Sequence, residues 1–429
     1  MEEAYDVVII GCGMAGALAG LTALKENLSV CIVERKRKEL IGKKICGELL
    51  PQQTCEWVKN EFSVAVDCYP LKGLKICSAI EHSHGDSVVR IEEPLCTIDR
   101  WQFGQTLARE LEKRGADIRY GSVNSSIYDD SVKGVKTADF AVYGTITIDC
   151  SGFSSVLRKR VAFASPSRSH LSGLAYKEDV VLEEPVNMEY ASLILDKKVI
   201  PSGFLWCFPK SDHVLNTGVG GLTRGKAALE SSLVTILQNH EFTIREKMNK
   251  GFGVLPLERP LPSIVGPGLL VCGDAACQVN PLTGEGIAPA LMAGYRAGKM
   301  AAQAIEKKDT SVKGMWQYNY ENARKHGVIC GPLSVLRDFI VSLSGEELDF
   351  LLNHVISGED LTQLEKEQPH PPLGRVIRIL LACWRNPGLL YRSYALYKKM
   401  SKIKALYECY PETPDKFPLW QQQLTTCFG

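Results

Sequence analysis

The sequence lacks any uninterrupted apolar run of about 20 residues, the length needed for a helix to cross a bilayer, so it predicts no membrane-spanning helix. It opens with MEEAYD, which is acidic, whereas a secretory signal opens with basic residues. The formal net charge is only +1 at pH 7, so no global field indicates a nucleic-acid partner. These absences favour a cytoplasmic protein that does not bind nucleic acid.

The 15 cysteines are an odd number, and none of them stands in a C-x-x-C pair. This pattern argues against a disulfide scaffold, a zinc ribbon and a ferredoxin-type cluster. Free thiols in a reducing cytoplasm are the simplest interpretation. His82 and His84 suggest a metal only by their proximity, and a surface turn accounts for them better. The sequence therefore predicts no metal site.

The first chemical motif lies in YDVVIIGCGMAGALAGLTALKENLSVCIVERK, which predicts a strand, a tight turn, a helix and a second strand. Residues 7–10 form a β-branched run that is typical of a strand buried on both faces. Gly11, Gly13 and Gly16 then make G-x-G-x-x-G. In that motif the first glycine permits the turn, the second admits a pyrophosphate, and the third lets helix and strand pack closely. Unpaired N–H groups at the helix start would bind the phosphates.

The second strand of this unit ends on Glu34, whose carboxylate can accept hydrogen bonds from ribose hydroxyls. The strand context and the acidic residue together favour a dinucleotide site over a glycine-rich structural turn. Ala15 and Arg35 are also predicted cofactor contacts. The motif by itself leaves NAD and FAD open.

A second motif lies in GLLVCGDAACQVNPLTGEGIAPALMAGYRAGKMAAQAI, where residues 269–272 predict another buried strand. Asp274 follows the strand end, and a carboxylate there can bind the hydroxyls of a ribityl chain. Gly284, Gly286 and Ile287 then begin a long helix rich in small residues. The start of that helix would point at the phosphates or at the pyrimidine edge of a flavin.

Together these motifs resemble those of FAD-dependent oxidoreductases of the aromatic-hydroxylase superfamily, which pair an early G-x-G-x-x-G with a late G-D motif. The pair Asp99-Arg100 resembles the superfamily segment whose arginine opens the next helix and reaches the flavin. The strand after that helix would bring Val123 toward the adenine. The resemblance implies FAD as the cofactor.

A middle segment, TITIDCSGFSSVLRKRV, resembles the superfamily motif D-(A/C)-(D/S)-G-x-x-S, which mainly shapes the cofactor cleft. Its matching residues are Asp149, Gly152, Ser155 and Arg158. For Arg158, a solvated or helix-capping role is as well supported as a contact with the cofactor.

The stretch GFLWCFPKSDHVLNTGVGG carries aromatic residues at alternate positions, which is typical of a strand with one aromatic face. That face could pack in the core or line a pocket. The stretch resembles the signature of geranylgeranyl reductases, Y-x-W-x-F-P followed by G-x-G, although Phe204 replaces the tyrosine and removes one hydroxyl. The resemblance implies a tunnel for a polyprenyl chain. The implied substrate-binding residues are Phe204, Trp206, Phe208, Pro209, Gly218 and Gly220.

The segment KKICGELLP strengthens the resemblance, because these reductases have a Cys-Gly pair in a loop beside the isoalloxazine ring. It implies that Cys46 and Gly47 contact the cofactor, and that Cys46 is a catalytic proton donor or positioning group. The other interpretation of Cys46 is a small buried thiol. Glu48 replaces a common aspartate or glycine and Met14 a common proline, and both changes look tolerable.

The resemblance extends through the tail, KKMSKIKALYECYPETPDKFPLW, and implies an FAD-dependent reductase. Its substrate would be isolated C=C bonds of geranylgeranyl chains, on archaeal-type membrane lipid precursors or on geranylgeranyl diphosphate. The electron donor stays open among NADPH, ferredoxin and another reductase. A flavin-dependent monooxygenase or halogenase of the same fold is the alternative, with Lys72 or Lys75 as the halogenase lysine.

The predicted fold is α/β, with a Rossmann-like FAD-binding domain of the aromatic-hydroxylase type, an antiparallel substrate sheet and a C-terminal helical region. The FAD domain is discontinuous and comprises residues 1–70, 96–165 and 256–308. The sheet domain comprises residues 71–95 and 166–255, and the helical domain residues 309–429.

Within the helical domain, residues 375–404 carry many basic residues, no acidic residue and interleaved aromatics. This segment could lie on the inner face of an anionic membrane as a peripheral contact, or form a solvated helical face.

Overall fold

A computed structural model describes residues 4–78, 88–161, 172–222, 225–239, 242–358 and 386–428. His82 and His84, with the expected surface turn, lie outside the described residues, as do residues 375–385 of the basic segment. The strands are β1 Ala4–Ile10, β2 Val30–Glu34, β3 Leu49–Pro51, β4 Cys68–Leu71, β5 Gly73–Ser78, β6 Val88–Ile91, β7 Leu95–Ile98, β8 Asp117–Tyr120, β9 Ser125–Asp129, β10 Ser131–Lys136, β11 Ala141–Asp149, β12 Ser172–Leu182, β13 Tyr190–Leu195, β14 Gly203–Ser211, β15 Val214–Gly221, β16 Ile244–Pro256, β17 Val265–Gly266 and β18 Leu269–Val271. The helices are α1 Met14–Lys25, α2 Gln52–Phe62, α3 Arg100–Lys113, α4 Lys226–Asn239, α5 Ile287–Glu306, α6 Trp316–Asn322, α7 Val328–Ser342, α8 Gly345–His354, α9 Pro387–Glu408 and α10 Phe417–Phe428.

The first sheet has eight strands, with the order β17-β18-β11-β1-β2-β8 and β10 and β9 joined to its side. The strands β18, β11, β1, β2 and β8 run parallel. The apolar residues 7–10 of β1 are at most 4% exposed, as expected for a parallel strand that is covered on both faces. Ligands of such sheets bind beyond the carboxyl ends of the strands, where both glycine-rich turns lie.

Helices α1 and α5 pack very closely, and glycine makes this possible. A Cβ placed on Gly294 would lie 2.1 Å from the Ala15 carbonyl oxygen, so any side chain there would force the helices apart. Both helices begin next to the strand ends of the first sheet. Their N-terminal N–H groups therefore converge on one region.

The second sheet has seven strands in the order β16-β12-β15-β14-β13-β5-β6. All of its pairs are antiparallel except β13 with β5. Along β14, Leu205 and Cys207 face a core shared with α4, whereas Trp206 and Phe208 belong to a separate cluster on the opposite face. The period of two along the strand therefore presents one aromatic face.

A small third sheet, β3-β7-β4, lies between the two larger ones. Along β7, Leu95 points to a large cavity while Cys96 and Ile98 point into the core of the first sheet. The third sheet is thus a wall with a cavity side and a core side.

The remaining described residues, from α6 onward, are helical. Trp316, Tyr407, Tyr410 and Trp420 form an aromatic cluster that joins α6, α9 and α10. Among the described residues, no helix is long and apolar enough to cross a membrane.

The predicted fold class is confirmed: the structure combines parallel and antiparallel sheets with a helical C-terminal region. The strands of the first sheet come from residues 1–70, 96–165 and 256–308. We propose the domain division on that basis, with the seven-stranded sheet and the C-terminal helices as the other two units.

Candidate active site

One cavity of about 1470 Å³ connects all three parts of the fold. Ordinary small-molecule sites occupy roughly 300–1,000 Å³, so this cavity has room for a second ligand beside a cofactor. Its lining runs from the first glycine-rich turn, along the aromatic face of β14, to helices α7, α8 and α9.

The glycine-rich turn forms the first end of the cavity. Gly11 has φ +93°, and a Cβ there would lie 2.7 Å from the Cys150 carbonyl oxygen, so only glycine fits the turn. A Cβ on Gly13 would meet nothing within 4 Å, because Gly13 faces the open cavity. Gly16 does not line the cavity; a Cβ there would lie 1.9 Å from the Gly11 carbonyl oxygen. Gly16 therefore acts through packing rather than through contact with a ligand.

Glu34 lies at the end of β2, on the cavity wall, and is 6% exposed. Its carboxylate accepts hydrogen bonds from the backbone N–H groups of Cys12, at 2.6 Å, and Lys36, at 2.8 Å. These bonds hold the glycine turn against the strand end. Ala15, Arg35 and Val123 also line this end of the cavity, as do Ser151 and Gly152 of the middle motif.

The middle motif shapes the cleft through Asp149, which is fully buried. Its carboxylate accepts from the hydroxyls of Ser151, at 2.5 Å, and Ser155, at 3.0 Å, and from the Leu157 N–H at 2.8 Å. Arg158 does not line the cavity; its Nε donates to the Ala275 carbonyl oxygen at 3.0 Å. This arginine therefore ties two loops together.

The second glycine-rich turn faces the first across the cavity. Asp274, Gly284, Gly286 and Ile287 all line it. The Asp274 carboxylate lies 2.5 Å from Lys44 Nζ, which belongs to the loop before Cys46. A carboxylate with a 13% exposed side chain and a movable lysine partner can instead accept from ligand hydroxyls.

Arg100 supplies a test of whether this region fits FAD. Its guanidinium donates through Nη1 to the Gly42 carbonyl oxygen at 3.2 Å, and the residue is 9% exposed. Its Nε is buried and has no hydrogen-bond partner among the described residues. A buried unpaired donor on the wall of this cavity fits an anionic, hydrogen-bonding cofactor.

Cys46 and Gly47 lie directly against the aromatic face. A Cβ on Gly47 would lie 2.9 Å from ring atom Cε2 of Phe208 and 3.6 Å from Trp206 Nε1. The rings of Trp206 and Phe208 have centroids 6.4 Å apart at an interplanar angle of 30°. Phe204 completes this cluster on the cavity wall. The structure thus brings together the two segments on which the reductase resemblance depends.

Gly218 and Pro209 support this wall without lining the cavity, in contrast to their predicted substrate contact. A Cβ on Gly218 would lie 2.1 Å from the Trp206 indole, so Gly218 makes room for that ring. Pro209 is buried, and its carbonyl oxygen accepts from the Thr97 hydroxyl. Gly220 lines the cavity.

A buried charged network, which the sequence did not reveal, adjoins the Cys-Gly loop. Glu48 is 7% exposed and lies 2.6 Å from Lys210 Nζ and 3.8 Å from Lys177 Nζ. Asp179 lies 2.8 Å from Lys177 and 3.8 Å from Lys210. Two carboxylates therefore compensate two ammonium groups. All four residues line the cavity.

Asn216 links this network to the aromatic wall. Its side-chain oxygen accepts from Trp206 Nε1 at 2.8 Å, and its Nδ2 donates to Glu48 Oε2 at 3.1 Å and to the Cys46 carbonyl oxygen at 3.0 Å. Glu48 has φ +63°, a left-handed conformation that is costly outside glycine. In the sequence, the position of Glu48 directly after the Cys46-Gly47 pair was the one feature that could have indicated a role for Glu48 in the site.

The far end of the cavity is apolar and comes from residues that sequence reasoning did not assign to the site. Leu74, Ile76, Leu193 and Leu195 line it from the second sheet. Most of the residues that line it from α7 to α9 are apolar, with Arg337 and Ser393 as polar exceptions; the apolar ones are Leu336, Phe339, Ile340, Val341, Leu343, Leu348, Leu351, Leu352, Ile356, Leu396, Tyr397 and Met400. The cavity is therefore polar at the glycine-rich turns and mainly apolar at the helices.

The lysines considered for a halogenase do not lie in this cavity. Lys72 is exposed and pairs with Glu189 at 2.6 Å, and Lys75 lies over the Tyr190 ring at 4.9 Å from its centroid. Neither residue belongs to the cavity lining.

Two family models match the chain. Residues 6–40 match a model described as FAD binding domain, and residues 173–253 match the geranylgeranyl reductase catalytic domain. The second match covers the aromatic strand and the network residues Lys177, Asp179 and Lys210.

Relatives of known name cover almost the whole chain. The digeranylgeranylglycerophospholipid reductase of Sulfolobus acidocaldarius is 26% identical, over 99% of this chain and 97% of that protein. The protein of the same name from Methanosarcina acetivorans is 27% identical, over 94% of this chain and 98% of that protein.

Solved structures share the fold. A geranylgeranyl bacteriochlorophyll reductase-like protein from Thermoplasma acidophilum superposes with a TM-score of 0.75 at 22% identity, over 92% of this chain and 100% of that one. The halogenase PltM gives 0.65 at 15% identity, over 99% and 96% of the two chains. Fold and site together define an FAD-dependent oxidoreductase. Within that class, the chain is similar to the geranylgeranyl reductases, through the match over residues 173–253 and the relatives just described.

Proposed function

We propose that this protein saturates isolated C=C bonds of geranylgeranyl chains, on archaeal-type membrane lipid precursors or on geranylgeranyl diphosphate. The observation that carries the proposal is the continuous apolar path from the Cys46-Gly47 loop, past Phe204, to the helices α7 and α8. Burying a polyprenyl chain there is favourable by about 25 cal/mol per Å² of apolar area.

Bound FAD, once reduced, supplies the hydride. The residues that would hold it are Gly11, Gly13, Ala15, Glu34, Arg35, Arg100, Val123, Asp274, Gly284, Gly286 and Ile287. The phosphates would meet the start of α1, and Asp274 would accept from hydroxyls after releasing Lys44. An isolated alkene is poorly polarised, so its reduction requires a site without water. The aromatic wall and the apolar helical end of the cavity would exclude water from it.

Reduction of an alkene also needs a proton, and the chain offers its donors at the aromatic wall. The Cys46 thiol lies on the cavity lining, where its sulfur accepts from the Glu48 N–H at 3.3 Å. Burial lowers the pKa of Lys210, but the carboxylates of Glu48 and Asp179 outweigh burial and raise its pKa above the ordinary value. Lys210 therefore keeps its proton on Nζ and holds Glu48 in place. We assign proton delivery or positioning to Cys46, with this network as its support.

The outer face of α9 supports a peripheral membrane contact. Tyr391, Tyr394 and Tyr397 are 74%, 55% and 46% exposed, and Lys398 and Lys399 beside them are exposed too. Tyr397 also lines the cavity, so this face adjoins its apolar end. A lipid substrate could pass from a bilayer into the cavity at this helix. Binding to anionic but not neutral vesicles, reduced in a Lys398→Gln, Lys399→Gln double variant, is the expected result.

The electron donor stays open among NADPH, ferredoxin and another flavoprotein, because the chain carries a single G-x-G-x-x-G. A donor screen with the purified holoprotein would identify it.

Anaerobic reoxidation tests the proposed reaction. The FAD-bound protein is reduced with dithionite and mixed with geranylgeranyl diphosphate or a digeranylgeranyl phospholipid. The expected result is flavin reoxidation with a product heavier by two hydrogens per reduced bond. A flavin that stays reduced until oxygen is admitted would contradict the reductase assignment and direct attention to monooxygenase and halogenase assays.

A further inference from the structure

Three cysteines meet on the core side of the small third sheet. The Sγ atoms of Cys55, Cys68 and Cys96 all lie within 4.8 Å of one another, and the Cys55 and Cys96 sulfurs are 3.6 Å apart. Cys55 is 7% exposed and Cys96 is fully buried, whereas Cys68 is exposed. The cluster is therefore mostly shielded but open to solvent on one side.

The fold assembles this cluster from separate elements. Cys68 of β4 pairs with Ile98 of β7, and Pro70 pairs with Cys96. Cys68 and Cys96 are thus diagonal neighbours on the same sheet face, since side chains alternate along a strand. Cys55 comes from α2, which packs on that face.

The spacing of these sulfurs suits one thiophilic cation. Zn–S bonds of about 2.3 Å in tetrahedral geometry place neighbouring sulfurs about 3.8 Å apart. The Cys55–Cys96 separation of 3.6 Å is close to that value, and small rotamer changes would bring Cys68 into range. Three thiolates leave a fourth position, which faces solvent on the Cys68 side.

We propose that Cys55, Cys68 and Cys96 form a three-thiolate binding site for Zn²⁺, with a solvent molecule as the fourth ligand. Each coordinated thiol releases its proton, so binding strengthens as pH rises. The ion would fasten α2 to the third sheet, whose other face lines the active-site cavity. The site is structural and does not depend on the proposed reaction.

Metal titration of the reduced, full-length, FAD-bound protein tests this site after a chelator has been removed by dialysis. We expect one Zn²⁺ per chain, a higher melting temperature with Zn²⁺, and three sulfur ligands at about 2.3 Å by X-ray absorption. Co²⁺ in the same position should show sulfur-to-metal charge-transfer absorption.

Variants separate this site from the other thiols. Cys55→Ser, Cys96→Ser and Cys68→Ser should each lose most of the bound metal, and the flavin spectrum reports whether they are folded. Among the three substitutions, Cys68→Ser should disturb folding least, because Cys68 is exposed. Cys409→Ser, at an exposed thiol after α9, is the matched control and should keep the metal.

Three results would overturn the site. They are no binding at equimolar Zn²⁺, unchanged binding in folded Cys68→Ser protein, and a Cys55–Cys96 disulfide whose reduction restores no metal binding.

Discussion

The ammonium group of Lys210 lies 2.6 Å from the carboxylate of Glu48, which is 7% exposed at the cavity wall. Glu48 sits two residues after Cys46, and Lys210 sits two residues after Phe208 on the aromatic strand. The ion pair therefore connects the Cys46-Gly47 loop to β14, the strand that forms the aromatic wall of the cavity.

Glu48→Gln should destabilise the protein by about 3 kcal/mol, because it removes a counter-ion and leaves buried ammonium groups undercompensated. The amide keeps the size of the side chain and can still accept from the Arg100 N–H. Chemical denaturation measures the loss. Glu246→Gln, at an exposed position on β16, is the control and should change the free energy of unfolding by less than about 0.5 kcal/mol. Equal stability of the two variants would contradict the buried-network interpretation.

Cys46→Ala should leave FAD bound and lower lipid-dependent flavin reoxidation by roughly tenfold to a hundredfold, as expected for loss of a proton donor or its positioning. The rate of flavin reoxidation in Cys46→Ser should lie between the rates of Cys46→Ala and the wild-type protein. Stopped-flow absorbance under anaerobic conditions gives the rate, with Cys409→Ala as the remote thiol control. Unchanged turnover in Cys46→Ala would remove this residue from the mechanism.

Gly218→Ala should displace the Trp206 ring, since its Cβ would lie 2.1 Å from the indole. We expect a loss of about 1–3 kcal/mol in stability, typical of an overpacked site, and weaker lipid binding with FAD retained. Gly220→Ala is matched to it on the same strand, and its Cβ would have nothing closer than 3.4 Å. Thermal unfolding of both variants compares them, and similar melting temperatures would argue against the ring contact.

Gly13→Ala should fold normally, because a Cβ there meets nothing within 4 Å in the structure. It should still weaken FAD binding by roughly tenfold or more, about 1.4 kcal/mol, because that space is where the pyrophosphate would approach the backbone. Fluorescence titration of the apoprotein with FAD measures the affinity. Gly388→Ala, where the nearest atom would be 3.8 Å away, should bind FAD like the wild type. If Gly13→Ala bound FAD with wild-type affinity, the pyrophosphate would not approach the backbone at Gly13.

Acid should destabilise the protein through His326, which lies in a π-helical turn at residues 323–327. Burial lowers the pKa of this histidine from 6.5 to about 4. The unfolded chain therefore binds the proton more readily, and stability present above pH 6.5 is lost as pH falls toward 4. The loss from this residue is up to about 3 kcal/mol. Unfolding free energies measured across that range should show a shallower slope in His326→Gln, and an identical slope would rule the residue out.

Local sequence patterns predicted two glycine-rich turns, and the structure places both on the wall of the cavity. Gly11 and Gly13 carry their own conformational and spatial demands, and the β-branched run before them predicts a buried strand, so a short segment is enough. The two glycine-rich turns face each other because parallel strands end at one edge of a sheet. The aromatic strand could also be predicted from its period of two. The resemblance implied that Pro209 on this strand and Gly218 on the next contact the substrate, and the structure places both residues behind the cavity wall.

The sequence by itself determined the strand–turn–helix units, the FAD class and the aromatic face, because each depends on residues within a single segment. Only the tertiary structure decided that Glu48 meets Lys210, that α7, α8 and α9 extend the cavity, and that Cys55, Cys68 and Cys96 converge. Those contacts join residues far apart in the chain, and the packing of three sheets and a helical region sets their distances. No pattern of spacing along the chain encodes such a distance.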